Sequence, residues 1–206
     1  MITLTPEQED ALIEIGNVGM SKAAKQLSVL LNSTIKISIP KISIININEL
    51  AANSHFDKEQ ILSFVYQGLS KDLQGFASLV FLREQTTILT MAVIGETPQL
   101  TQEEARACEQ EAMLEIGNII ISSCMSIIVN MLSMSIKLSL PYYDENNIVS
   151  LLQKLCEPIS GLTESIISLS TKFDTSNDKL SGSLFIILTE ESVQSLLQGI
   201  KELIGE

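Results

Sequence analysis

The sequence predicts an α/β fold in which two helix-strand-strand-strand-helix units, related by an approximate two-fold axis, set their long helices on a central, mostly antiparallel sheet. Three observations lead there. Glu14, Ile15, Gly16 and Asn17 recur as Glu115, Ile116, Gly117 and Asn118, 101 residues on. Pro40 recurs as Pro141 with the same displacement. Finally, QGFASLVFLREQTTILTMAVIGE (74–96) is matched by SGSLFIILTEESVQSLLQGIKELIGE (181–206), each a glycine, an apolar strand, an amphipathic helix and a closing Ile-Gly-Glu. Self-similarity at a fixed displacement is the mark of a duplicated unit.

In the first unit, apolar residues at helical spacing predict a helix from about Pro6 to Leu31. Thr5 is placed to cap it, with proline in the first turn and acids near the amino end. Alternating residues predict strands over 34–45, 61–69 and 75–82, the last two joined by the turn SKDLQ, and then the helix that closes the unit. In the second unit the helix spans about Gln102 to Met134. Strands follow at SIKLSLP (135–141), 162–173 and 183–188, with DTSNDK as the hairpin turn and a final helix. TPQLTQ (97–102) reads as a turn and not a tether. One domain over 1–206 is therefore expected, made of repeats at about 1–100 and 101–206 that share a sheet or a core.

Composition bounds the function. The 206 residues are 45% hydrophobic with few aromatics and no tryptophan, so the core is aliphatic. A net charge of -12 without a basic cluster argues against a nucleic-acid partner and against docking on an anionic membrane. Cys108, Cys124 and Cys156 form neither metal-ligand spacing nor an even disulfide set, which suits a reducing, cytoplasmic setting. No secretory signal is visible. The apolar run 116–136 is interrupted by Asn118, Ser122, Ser123, Ser126 and Asn130, and is read as a buried helix and not a membrane span.

The candidate site lies on the two long helices. Asp10, Glu14, Asn17 and Ser21 step by four, three and four residues and share one face. Glu111, Glu115, Asn118 and Ser122 repeat that stripe. The single histidine, His55, falls in a connection and reads as a surface residue, so a histidine-based nucleophile cannot serve both copies. A carboxamide can hold and aim a water, and a carboxylate one turn away can pair with a partner's cation. Glycine inside a helix costs roughly 1 kcal/mol relative to alanine, so Gly16 and Gly117 are expected to clear room for that partner. The combination suits water attack on a phosphoryl group carried by another protein, where positioning supplies much of the rate.

The pattern Asp/Ser, three residues, Glu, two residues, Asn, 22 residues, Pro resembles the signature of the CheC, CheX and FliY phosphatases of bacterial chemotaxis. It reads Asp10, Glu14, Asn17, Pro40 and then Glu111, Glu115, Asn118, Pro141, where Glu111 departs from Asp or Ser. Two motifs in one chain are most similar to the CheC pattern. CheX-like chains keep one site, and FliY-like chains add a switch domain that is not expected here. The resemblance implies hydrolysis of the aspartyl phosphate of the response regulator CheY. Asn17 and Asn118 would aim the water, and Glu14 and Glu115 would anchor the regulator's lysine. Asp10 and Glu111 are weaker candidates, and Pro40 and Pro141 are structural. The resemblance also implies association with the receptor deamidase CheD. No cofactor of its own is expected, since Mg²⁺ would sit on CheY. A monomer is expected because duplication supplies the two-fold. The alternative is a non-catalytic module that binds CheY-phosphate or CheD, and a purely structural domain is the third reading.

Overall fold

The structure, a computed structural model, describes residues 4–30, 34–46, 59–94, 100–156, 162–174 and 179–205. Along the chain these form α1 (Pro6–Leu30), β1 (Lys36–Asn46), β2 (Leu62–Lys71), β3 (Gly75–Leu82), α2 (Arg83–Ile94) and α3 (Gln102–Met131). Then come β4 (Ile136–Leu138), β5 (Tyr142–Asn146), α4 (Ile148–Cys156), β6 (Leu162–Asp174), β7 (Lys179–Thr189) and α5 (Glu190–Ile204). The expected elements all appear within a few residues. His55 and most of the DTSNDK turn lie outside the described residues.

Local chemistry sets the helix starts. Thr5 and Gln8 exchange hydrogen bonds at the head of α1, where Pro6 needs no N–H partner. At α3 the Thr101 hydroxyl accepts from the Glu104 N–H while the Glu104 carboxylate accepts from the Thr101 N–H. Thr189 caps α5, which ends at Gly205 with φ of 82°, a left-handed position suited to glycine.

All strand pairings are antiparallel, and the order is β1-β6-β7-β3-β2-β4, with β5 also on β2. The centre of the sheet is the β3–β7 ladder. Gly75 faces Leu188 and Phe81 faces Gly182, so this ladder is symmetric about the Ser78–Phe185 pair. That pair marks the internal two-fold. The units interlock across it: β1 of the first unit lies on β6 of the second, and β4 and β5 of the second lie on β2 of the first.

One face of the sheet carries α1, α3 and α5 over the main aliphatic core, which includes Leu12, Ile15, Met20, Ile116, Ile120, Val65 and Leu169. The other face carries α4, whose Ile148, Leu151, Leu152 and Leu155 cover Leu62, Phe64, Val80 and Phe185. α3 is long and apolar enough to cross a bilayer, but 61% of its most apolar window is buried against this molecule. That is consistent with a core helix of a soluble fold.

Two elements depart from the expectation of six strands and four main helices. The segment after Pro141 forms β5, and the connection to the strand at 162–173 contains α4. YYDEN lacks apolar alternation because its polar groups are used internally. Arg83 makes a bidentate pair with Glu109 at 2.7 and 2.9 Å, and its Nε reaches Glu145 at 3.1 Å. The Tyr143 hydroxyl donates to Glu145 at 2.6 Å. Burial, with help from that carboxylate, raises the Tyr143 phenol well above its ordinary range.

Candidate functional site at two bulged sheet edges

The two long helices pack on each other, and their backbones come close at Gly19. A Cβ there would lie 2.7 Å from the Cα of Cys124, so glycine lets the backbones meet. Beside this contact, the Ser123 hydroxyl donates to Gln26 at 2.8 Å. Their outer faces carry the predicted stripes. Asp10, Glu14, Glu111 and Glu115 are exposed, and Asn17 and Asn118 are half-buried where each helix meets the sheet. Glu14 and Glu115 make no ion pair or hydrogen bond among the described residues, leaving both carboxylates available. The hydroxyls of Ser21 and Ser122 turn back onto helix carbonyls, Asn17 O and Ile119 O.

Gly16 and Gly117 do not open the surface. Both are buried beneath the helices. A Cβ on Gly16 would sit 2.6 Å from Ile39 Cδ1, and one on Gly117 would sit 2.5 Å from the Val65 side chain. The expectation that they clear room for a partner is overturned. They admit sheet side chains from below, so the recurrence of glycine in the two units reflects packing of helix on sheet.

The spacing from asparagine to proline has a structural meaning that the sequence did not reveal. In β1 the ladder with β6 runs from Ser38–Lys172 to Lys41–Ser170, so β1 carries one extra residue around Ile39 and Pro40. On β2 the partners run from Leu138–Leu69 to Tyr142–Tyr66, so one extra residue again falls around Leu140 and Pro141. Each unit thus has a β-bulge at its proline, on an edge of the described sheet. Proline lacks a ladder N–H and is tolerated at such places. A proline inside an alternating run was the available signal.

The bulges meet the asparagines differently. In the first unit the Ile39 N–H donates to Asn17 Oδ1 at 2.7 Å, and Asn17 Nδ2 donates to the Ile39 carbonyl at 3.2 Å. Both ends of the carboxamide are engaged. In the second unit Asn118 Oδ1 accepts from Gln67 Nε2 at 3.3 Å, and Gln67 Nε2 also donates to the Ser139 carbonyl at 2.8 Å. Asn118 makes no bond to Leu140, the counterpart of Ile39. Ile39 is 1% exposed and Leu140 is 79% exposed, so the first bulge closes inward and the second opens outward. Gln67, a polar residue in an otherwise apolar stretch of β2, was not singled out from sequence. Among the described residues no three His, Cys, Asp or Glu side chains gather as metal ligands.

The CheC-like family model matches residues 7–44, which span α1, Asn17 and the first bulge. The fold is similar to that of Thermotoga maritima FliY, with 19% identity, a TM-score of 0.77, and 98% of this chain and 100% of that chain covered. It is similar to CheX from Desulfovibrio desulfuricans, at 14% identity and a TM-score of 0.53, over 85% of this chain and 99% of that one. The FliM middle domain from H. pylori matches at 12% identity and a TM-score of 0.58, over 95% and 99%. The family model thus matches the segment that carries α1 and the first bulge, and the fold as a whole is similar to those of FliY, CheX and the FliM middle domain.

Proposed function

We propose that the protein is an aspartyl-phosphate phosphatase acting on a phosphorylated CheY-type response regulator. The observation that carries this reading is an exposed, unpartnered carboxylate one helical turn ahead of a half-buried carboxamide, twice, at bulged edges of one sheet. Glu115 and Glu14 anchor the regulator's lysine by a charge-assisted contact. Asn118, and Asn17 once released from Ile39, orient a water in line with the phosphorus. Phosphoryl transfer needs little covalent help from the protein, so orientation is the contribution a carboxamide can make. The divalent cation belongs to the regulator's acidic pocket, and association with CheD is part of the same proposal.

A second reading has an observation of its own. Asn17 is already bound at both ends, which suits a docking surface at the first site more than a catalytic one. The test is the decay of phosphate on radiolabelled CheY with this protein present, as wild type, Asn118→Ala, Glu115→Lys and Glu14→Lys. Accelerated decay that Asn118→Ala lowers by on the order of 10²-fold at the second site, with regulator binding kept, supports catalysis. Binding without any acceleration by the wild-type protein would leave the adaptor reading.

A further inference from the structure

The internal two-fold supplies a control for every residue near the site. Opposite the second bulge, between Tyr66 and Gly68, stands Gln67; opposite the first, between Ser170 and Lys172, stands Thr171. Both are buried, at 2% for Gln67 and 1% for Thr171. A long buried carboxamide where the twin holds a short threonine needs a reason, because an unpaired buried polar atom is costly. Gln67 Oε1 has no hydrogen-bond partner, yet both of its Nε2 contacts are directed at the second site, to Asn118 Oδ1 and the Ser139 carbonyl. In the first unit, where the Thr171 hydroxyl is too short to reach it and makes no hydrogen bond, the same asparagine folds onto the Ile39 backbone.

Resting on the phosphatase reading, we infer that Gln67 is a positioning residue for the second site, holding the Asn118 carboxamide off the bulge and in the attitude that aims water. The two donors of its NH₂ group are spent on a backbone oxygen and on Asn118 Oδ1. The first bond fixes Gln67, and the second fixes the plane of the Asn118 amide. Nδ2 and the second lone pair of Oδ1 remain for a water. Leu140, turned outward on the opened bulge, leaves that side unobstructed. Without Gln67, Asn118 has the alternative its twin adopts, in which both ends of the amide are consumed by backbone. Gln67 does not touch the regulator, and it acts through Asn118.

The test measures steady-state turnover of CheY kept phosphorylated by a small-molecule phosphodonor, in a Glu14→Lys background that silences the first site without loosening Asn17 from Ile39. Gln67→Thr copies the twin's residue, and Gln67→Met is an apolar variant of similar length. Both should lower kcat by about 10-fold or more while KM for phosphorylated CheY stays constant, because Glu115 is untouched. For Gln67→Met the denaturation midpoint should hold or rise, since a buried unpaired oxygen is removed. Unchanged kcat in either folded variant overturns the inference, as does a loss confined to KM. Turnover that disappears on Glu14→Lys alone also overturns it, because the second site would then be idle. A wild-type protein that never accelerates dephosphorylation defeats the phosphatase reading itself, an outcome separate from failure of the Gln67 variants alone.

Discussion

Asn17 closes both hydrogen-bonding groups of Ile39, accepting its N–H at 2.7 Å and donating to its carbonyl at 3.2 Å. A bulge removes a residue from the ladder, and here a helix side chain replaces the strand as its partner. Asn17→Ala should therefore destabilise the fold by about 1–3 kcal/mol, the cost of leaving buried backbone groups unpaired. Asn118→Ala loses one longer hydrogen bond and should cost less, about 0.5–1.5 kcal/mol. Urea unfolding of the two variants checks this. Equal losses would mean that the two asparagines are held alike.

The helix glycines should rank by what lies above them. At Gly19 a methyl meets the Cα of Cys124, which cannot move without parting the helices. Gly19→Ala should cost about 1–3 kcal/mol by overpacking, despite alanine's better helix propensity. Gly117→Ala presses on the Val65 side chain, so Val65→Ala should recover part of the loss in a double-mutant cycle. Gly16→Ala presses on the end of the Ile39 side chain, with Leu169 Cδ2 at ordinary contact distance, and should be mildest. Thermal melts of the three alanine variants give the order, and a neutral Gly19→Ala would contradict the close crossing.

The start of α3 carries a pH dependence of known sign. Glu104 is held below the usual carboxylate range, first by its hydrogen bond from the Thr101 N–H and then by the Thr101 hydroxyl. A depressed folded-state pKa adds stability above the unfolded value of 4.5, and that stability is lost as pH falls through the folded value. Wild type should exceed Glu104→Gln in resistance to urea at pH 7. The gap should narrow as pH falls below 4.5 and close once the carboxylate is neutralised in the folded state. A gap that widens on acidification would reverse the assignment.

Cys124 packs at the helix crossing, and burial pushes its thiol up to about 12. Cys108 is half-buried further along the same helix. Alkylation of the native protein at pH 8 should label Cys124 on the order of 10³-fold more slowly than an ordinary thiol of pKa near 8.5. Peptide mapping by mass spectrometry, with and without denaturant, reads the difference. Fast native labelling of Cys124 would mean that α1 and α3 separate readily.

Much of this architecture was legible because it is written in local terms. Thr5-Pro6 and Thr101 mark helix starts, the alternating runs mark strands, and the repeat of Glu14 and Asn17 as Glu115 and Asn118 marks two related helix faces. β5 escaped notice because its side chains are polar or tyrosine, and its charged groups are satisfied by Arg83 and by each other. Gly16 and Gly117 were given the wrong neighbour. Sequence tells that a helix surface must be narrow at a glycine, but not whether solvent or a sheet lies against it.

By itself the sequence determined the duplication, the element order, the helix faces and which side chains recur on them. These depend on residue period and on identity at fixed displacement, both one-dimensional quantities. Only the tertiary structure decided that each unit lends its bulged strand to the other's hairpin, that Asn17 is spent on Ile39, and that Asn118 is handed to Gln67. Gln67 lies 51 residues before Asn118 and in the opposite repeat, so no local pattern links them. Two near-identical motifs thus meet different neighbours, because their surroundings are assembled across the two-fold from parts of the chain that did not stay alike.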